Sequence, residues 1–494
     1  MKPYLPIHRQ QIERVEQLND HEPVADIHRN YRFVSQQAIR YYLFALIICN
    51  VLFFNKILLP LFWLSGIVCA VGFFYYSSLL VRKWSAYTEG KYERKLFRTA
   101  LIIRVIWVLV SYLMYNFLTG KPFEWGAADA TGYHSEAEWL ADLIQQNNLE
   151  TYYKYIAGRY SDMGYAYFLG WQYWITGKSI LIARLIKTVY SAYTCVLIYK
   201  LAKRNFGENT GRMAGIFAMI YPNLILYTGL HLKETEMLFL SVAFLERTDK
   251  LIREKIFSFS TLSLPILFAS LLFFFRTVLG VTALFSLFSA LTLTSTKILG
   301  MGKRFILILW ILLASSYFIG GRVLYEIEET WNTGQKQQAT SMQYRTDREN
   351  GNKFAKYMGA AVFAPMIFVI PFPTMINTPD QQNQQFINGG NYIKNILGFF
   401  IILAAIMLVK QRKWREHLLL ISFLIGYLAV LANSAFAQAE RFHQPALPIE
   451  IIFAAFGICN FERLHKKYFN WWLFFILFVI VGWSWFKLAG RGMA

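Results

Sequence analysis

The chain has 494 residues, of which 56% are hydrophobic, 18% aromatic and only 16% charged. Apolar runs of about 18 residues or more recur from end to end, which excludes an ordinary soluble domain and implies a polytopic membrane protein. The 50 Lys and Arg against 30 Asp and Glu, net +20, are basic enough for a nucleic-acid partner, but they cluster in short loops between apolar runs, so positive-inside sorting accounts for them and no nucleic acid is expected.

Residues 1–40 are polar, carry both signs of charge and lack a signal-peptide pattern, so they read as a cytoplasmic N-terminal segment. Residues 41–54 and 57–80 read as a helical hairpin (41–80) turning at Asn55 and Lys56. The basic run VRKWSAYTEGKYERKLFR then marks the cytoplasmic side, and a span at 99–118 carries the chain outward. Cys49, Cys69, Cys195 and Cys459 fall in or at the ends of apolar segments without paired spacing and read as core residues.

The outward span delivers a polar stretch, 119–178, opening TGKPFEWGAADATGYHSEAEWLADLI. It concentrates Asp129, His134, Glu136, Glu138, Asp142 and Asp162 among tyrosines and tryptophans. Tyr133, Ala137, Leu140 and Ile144 recur at helical spacing, predicting an amphipathic helix on the membrane that starts near Thr131, with a second surface helix ending at Gly177. A carboxylate-bearing loop at the interface is where a water-soluble and a lipid-soluble reactant can meet.

Spans at 180–201 and 212–229 follow, joined by the basic KLAKRNFGENTGR, and a tight outer turn, HLKETE, holds His231, Lys233 and Glu234. Spans at 256–275 and 278–297 flank Arg276, and another is expected at 304–321. In the second outer segment, 322–392, the stretch AAVFAPMIFVIPFPTM is interrupted by three prolines, so a re-entrant or interfacial piece is expected rather than a span. Spans at 393–410, 416–433, 444–459 and 470–487 complete the C-terminal part, 393–494. The expected fold is an all-α bundle of roughly thirteen transmembrane helices with interfacial helices in the first outer loop.

The pattern D-A-x-x-Y-H after a span, then GYAYFLGWQYWITGKSILIARLIKTVYSAYTCVLIYKLAKRNFG and MAGIFAMIYPNLILYTGLHLKETEMLFL, resembles the polyprenyl-phosphate-sugar-dependent glycosyltransferases of the GT-C superfamily, the group containing protein O-mannosyltransferases and aminoarabinose transferases. The likeness is strongest over 99–250 within a catalytic module spanning 99–321; later it rests on span layout and ERFHQPALP. It implies transfer of a sugar, at the extracytoplasmic face of a bacterial cytoplasmic membrane, from a polyprenyl-phosphate donor to a glycan, lipid or protein acceptor.

By this resemblance Asp129 matches the first-loop aspartate and is the candidate base, with helix N-capping as its alternative. Glu234 is the candidate second acidic residue, or a first-turn partner of a helix dipole. Arg441, Lys233 and Arg276 are candidates for the donor phosphate, with interface snorkelling as the alternative for the arginines and Glu440 expected to orient Arg441. Tyr133, His134, His231 and His443 are candidates for substrate contact. Ala128 and Ala130 flank Asp129 where an adjacent acidic pair would make the likeness closer. No cofactor is required, but His134, Glu136, Glu234 and His443 leave a divalent metal open. Two other functions share this layout: an O-antigen-type polymerase or ligase, expected to use arginines and histidines of late outer loops, and a transporter or flippase, expected to carry ionisable residues near mid-membrane.

Overall fold

The computed structural model describes residues 22–157, 163–253, 259–294, 300–302, 305, 308–309, 336–379 and 381–493. Asp162 and the expected span at 304–321 lie largely or wholly outside these. Among the described residues the protein is helical without strands, and five helices are long and apolar enough to cross a membrane: Pro60–Trp84, Glu89–Thr119, Ile180–Phe206, Asn388–Lys410 and His465–Ala489. Four shorter apolar helices, Ser263–Phe275, Thr277–Leu293, Leu418–Ala432 and Leu447–Cys459, accompany them.

The first helix begins in the polar N-terminal stretch, at Glu22, and runs unbroken to Leu52, beyond residue 40. Glu89–Thr119 ends at Gly120, whose left-handed φ of 72° turns the chain while its amide donates to the Asn116 carbonyl. Ile180–Phe206 packs against Glu89–Thr119, Glu208–Ile220 and Glu234–Arg253. Arg104 sits inside this packing, buried, donating to Ser191 Oγ at 2.7 Å and to the carbonyls of Met219 and Ala218. A charge in an apolar bundle has to be satisfied by such fixed acceptors.

The expected span 212–229 is two helices, Glu208–Ile220 and Pro222–Thr228. Pro222 has no amide hydrogen and pushes Tyr221 out of the helical region, to φ −66°, ψ 119°. The proline-interrupted stretch forms a four-residue helix, Ala360–Phe363, and a turn, Ala364–Met366, followed by irregular chain buried through Ile376. At the C-terminal side a Cβ on Gly457 would lie 2.2 Å from the Phe400 carbonyl oxygen, so only glycine lets Leu447–Cys459 approach Asn388–Lys410 this closely.

Candidate functional site

The polar stretch turns at Gly126, which has a φ of 62°, and enters the helix Ala128–Gln145. Ala127 occupies the N-cap position without a side-chain bond, so Asp129 is a first-turn residue and the capping role does not apply. There its charge complements the helix dipole while the carboxylate stays about half exposed. Asp129 Oδ2 lies 2.6 Å from an Nη of Arg441.

Arg441 comes from the short 3-10 turn Glu440–His443, between two apolar helices. Its Nε is 3.7 Å from Glu234 Oε1, and its guanidinium stands 4.8 Å over the Phe442 ring. Partial burial opposes its charge, but Glu234 and Asp129 outweigh that and hold the guanidinium above its ordinary pKa. Residues from three distant parts of the chain therefore meet at one arginine.

Glu440 does something different from what its neighbour in sequence implies. Its carboxylate turns away from Arg441 and accepts from Asn223 Nδ2 at 2.5 Å and Tyr227 Oη at 2.6 Å, with Gln444 as a third donor. Burial pushes its carboxyl up to about 7 against the lowering effect of these bonds. Orientation of Arg441 thus falls to Asp129 and Glu234.

Asp129, Arg441, Glu440, Tyr227, Glu124 and Trp125 line a cavity of about 280 Å³. Glu124 is buried, which raises its carboxyl pKa. Sequence reasoning passed over Glu124, Asn223 and Tyr227; the helix restart at Pro222, in YPNLILYT, was the one signal that this segment turns polar groups inward.

The remaining expected site residues lie elsewhere. The outer turn before Glu234 is not a surface turn: His231, Lys233 and Glu234 are all buried. Tyr173 Oη bridges His134 Nδ1 at 2.8 Å and His231 Nε2 at 3.1 Å, and Tyr133 packs edge-on against Tyr165. Burial, then Lys187 and Arg184, drives His231 well below its usual pKa, and burial lowers His134 despite Glu138. Tyr133 and His134 project from the Asp129 helix itself onto Tyr165, Tyr173 and His231, and none of these rings lines the cavity. Lys233 Nζ donates to the Phe275 carbonyl at 3.2 Å, and Arg276 lies 4.4 Å over the Phe442 ring; neither lines the cavity. His443 is buried, bonded to Lys394 Nζ at 2.7 Å and to the Ala437 carbonyl.

The four-residue metal site does not assemble. Glu136 accepts from Tyr152 at 3.0 Å and His443 belongs to the Lys394 pair, while among the described residues no group of three or more His, Cys, Asp or Glu side chains could hold a metal ion.

Comparison with family models, with curated proteins and with solved structures finds no match to this chain. The class that fold and site define is therefore an all-helical membrane protein with an acid-and-arginine cavity formed where its helices end.

Proposed function

We propose that this protein is an integral membrane glycosyltransferase that moves a sugar from a polyprenyl-phosphate donor to a glycan, lipid or protein acceptor at the extracytoplasmic face. The observation that carries the reading is the half-exposed Asp129 carboxylate lining an open cavity, held at 2.6 Å by an arginine that also faces Glu234.

In the step proposed, the acceptor hydroxyl gives its proton to Asp129 as its oxygen attacks the anomeric carbon, and the bond from that carbon to the phosphate oxygen breaks on the opposite side. The electron pair leaves with the phosphate, and configuration inverts. Arg441, already shared between two carboxylates, is placed to swing a guanidinium N–H toward the developing phosphate charge, stabilising the transition state more than the bound donor. Glu440 accepts from Tyr227, which lines the cavity, and from Asn223, and contributes no proton to this step.

The sidedness rests on charge. Lys200, Lys203, Arg204 and Arg212 sit where the helices turn back at the end away from the cavity, engaged with Glu93, Glu89, Glu246, Asp249 and Glu208, as expected of a cytoplasmic surface. Asp129, Glu234 and Arg441 group at the ends of helices, as a transfer site at the interface requires. The test is incubation of the purified protein with a panel of lipid-phosphate sugars, read as release of free lipid phosphate. Release from at least one donor is expected, and no release from any donor by folded protein would overturn the reading.

A further inference from the structure

A second and larger cavity, about 580 Å³, opens beside the first, and Trp125, Gly126, Asn383, Gln384 and Ala439 belong to the walls of both. Carboxamides are the largest group in its lining: Asn352, Gln381, Gln382, Asn383, Gln384 and Gln438. Trp125 and Phe486 supply aromatic surface, and aliphatic side chains are few.

Local structure decides which amides face this space. The short helix Gln382–Phe386 is anchored by Gln385, which is buried and donates to the carbonyl and the hydroxyl of Thr378, each at 2.8 Å. The four residues before Gln385 stay on the cavity wall. Asn383 Nδ2 donates to the Trp125 carbonyl at 2.7 Å, which ties this run of amides to the polar stretch leading into Asp129. Gln382, Gln384 and Gln438 are half-buried, and among the described residues their side chains make no hydrogen bond.

The rest of the wall is a loop closed on the end of His465–Ala489. Asn352 Nδ2 donates to the Phe486 carbonyl at 3.1 Å and the Lys353 amide to the Gly490 carbonyl at 2.8 Å. A Cβ on Gly490 would stand 1.7 Å from Asn352 Oδ1, which accepts from the Phe354 amide at 2.9 Å, so glycine lets the loop close. Lys487 and Arg491 belong to this chain end, Lys487 only 9% exposed and Arg491 donating to the Lys487 carbonyl at 2.7 Å. Arg345 donates to the Ala435 carbonyl at 3.1 Å. The guanidinium left to a ligand is that of Arg348, which is exposed and whose side chain makes no ion pair or hydrogen bond among the described residues.

We propose that this cavity holds the acceptor, and that the acceptor is a glycan carrying an acidic sugar. A sugar hydroxyl both donates and accepts, and a carboxamide offers two N–H donors and an acceptor oxygen without charge. Unpartnered amides beside two aromatic rings therefore match a sugar, whose hydroxyls meet the amides while its C–H face lies on a ring. A lipid acceptor calls for an aliphatic lining, and the described residues offer no strand edge to an extended peptide. Arg348 adds the planar fork that pairs with a carboxylate. The donor phosphate keeps its place at Arg441, and the acceptor hydroxyl reaches Asp129 across the shared wall, so donor and acceptor enter by separate cavities. This deepens the glycosyltransferase reading and rests on it for the transfer step; binding of the glycan does not.

Binding is therefore the readout. The purified full chain in lipid nanodiscs is titrated with a panel of uronate-bearing tetrasaccharides, each beside its carboxyl-reduced form, and with an uncharged Ser/Thr peptide. At least one acidic tetrasaccharide is expected to bind, about tenfold more tightly than its reduced form, a gap of ~1.4 kcal/mol. Arg348→Gln should erase that gap, Gln382→Ala and Gln438→Ala should each weaken both forms alike, and Lys154→Gln, on a surface helix outside the cavity, should change neither. No binding of any tetrasaccharide, peptide binding as tight as the best of them, or unchanged affinity in folded Gln382→Ala and Gln438→Ala overturns the proposal. Equal affinity for acidic and reduced forms overturns its acidic part. Glycan binding without sugar transfer would sink the transfer reading alone, and transfer to a lipid or peptide without glycan binding would sink this one alone.

Discussion

The two adjoining cavities treat charge in opposite ways. In the smaller, Arg441 is matched by Asp129 at 2.6 Å and Glu234 at 3.7 Å, and Glu440 is consumed by Asn223 and Tyr227. In the larger, Arg345, Arg348, Lys487 and Arg491 line one space, and among the described residues no carboxylate lines it. Charges that already answer one another hold their geometry before any ligand arrives, whereas a basic lining suits a ligand that brings negative charge with it. The difference teaches that counting basic residues says little until it is known which have acids beside them.

The sharpest way to break this division is Asp129→Asn. It removes the proton acceptor and leaves Arg441 facing Glu234 alone, and turnover should fall roughly 10²- to 10⁴-fold, on the order of 3 to 5 kcal/mol, with the unfolding midpoint nearly unchanged. Wild-type turnover would return Asp129 to a structural role. Next is Arg441→Lys, which keeps the charge but cannot face two carboxylates with a planar fork. Its rate should drop about 10²-fold through kcat more than KM, and a change in KM alone would make Arg441 a binding residue only.

Glu440 tests the smaller cavity by pH. Its folded carboxyl is raised to about 7 from 4.5, so the folded state holds its proton more tightly than the unfolded state does. The sign follows: stability from this group is full below the unfolded value and is lost as pH rises from 4.5 through about 7, by roughly 3 kcal/mol. Thermal unfolding should show a midpoint falling across that window, and Glu440→Gln should flatten the fall. The smallest effect is expected at Arg276. Arg276→Gln removes a cation–π contact with Phe442 worth about 0.5 to 2 kcal/mol of stability and should leave transfer within about threefold, because the side chain does not line the cavity. A hundredfold loss there would restore it as a phosphate ligand.

Legibility in the sequence followed the reach of each signal. Apolar length found the long helices, because a run such as Pro60–Trp84 is a local property of composition. Pro222 was equally visible, yet its consequence was missed, since a hydropathy run through 212–229 does not register a lost backbone donor. Asp129 was legible as a carboxylate in the long polar stretch 119–178, and Glu234 and Arg441 as ionisable residues in short connections between apolar runs. Their meeting was not, because residues 129, 234 and 441 are joined only by packing of helices far apart in sequence. Lys233 and Arg276 carried the same local signal as Arg441 and differ only in what tertiary structure places beside them. The cation-lined cavity was invisible for the same reason: Arg345 and Arg348 come from a segment without sequence pattern, and Gly490 acquires its role only against Asn352.

The central claim is that a sugar is transferred at the Asp129–Arg441 pair, and anomer-resolved product analysis tests it most directly. Purified wild type and Asp129→Asn are incubated with lipid-linked sugar donors, both mono- and diphosphate, and with candidate acceptors, following released lipid head group and the configuration of the product. The account predicts release by the wild type with inverted configuration and near-complete loss in folded Asp129→Asn. Retained configuration, or equal release by the two proteins, would contradict it.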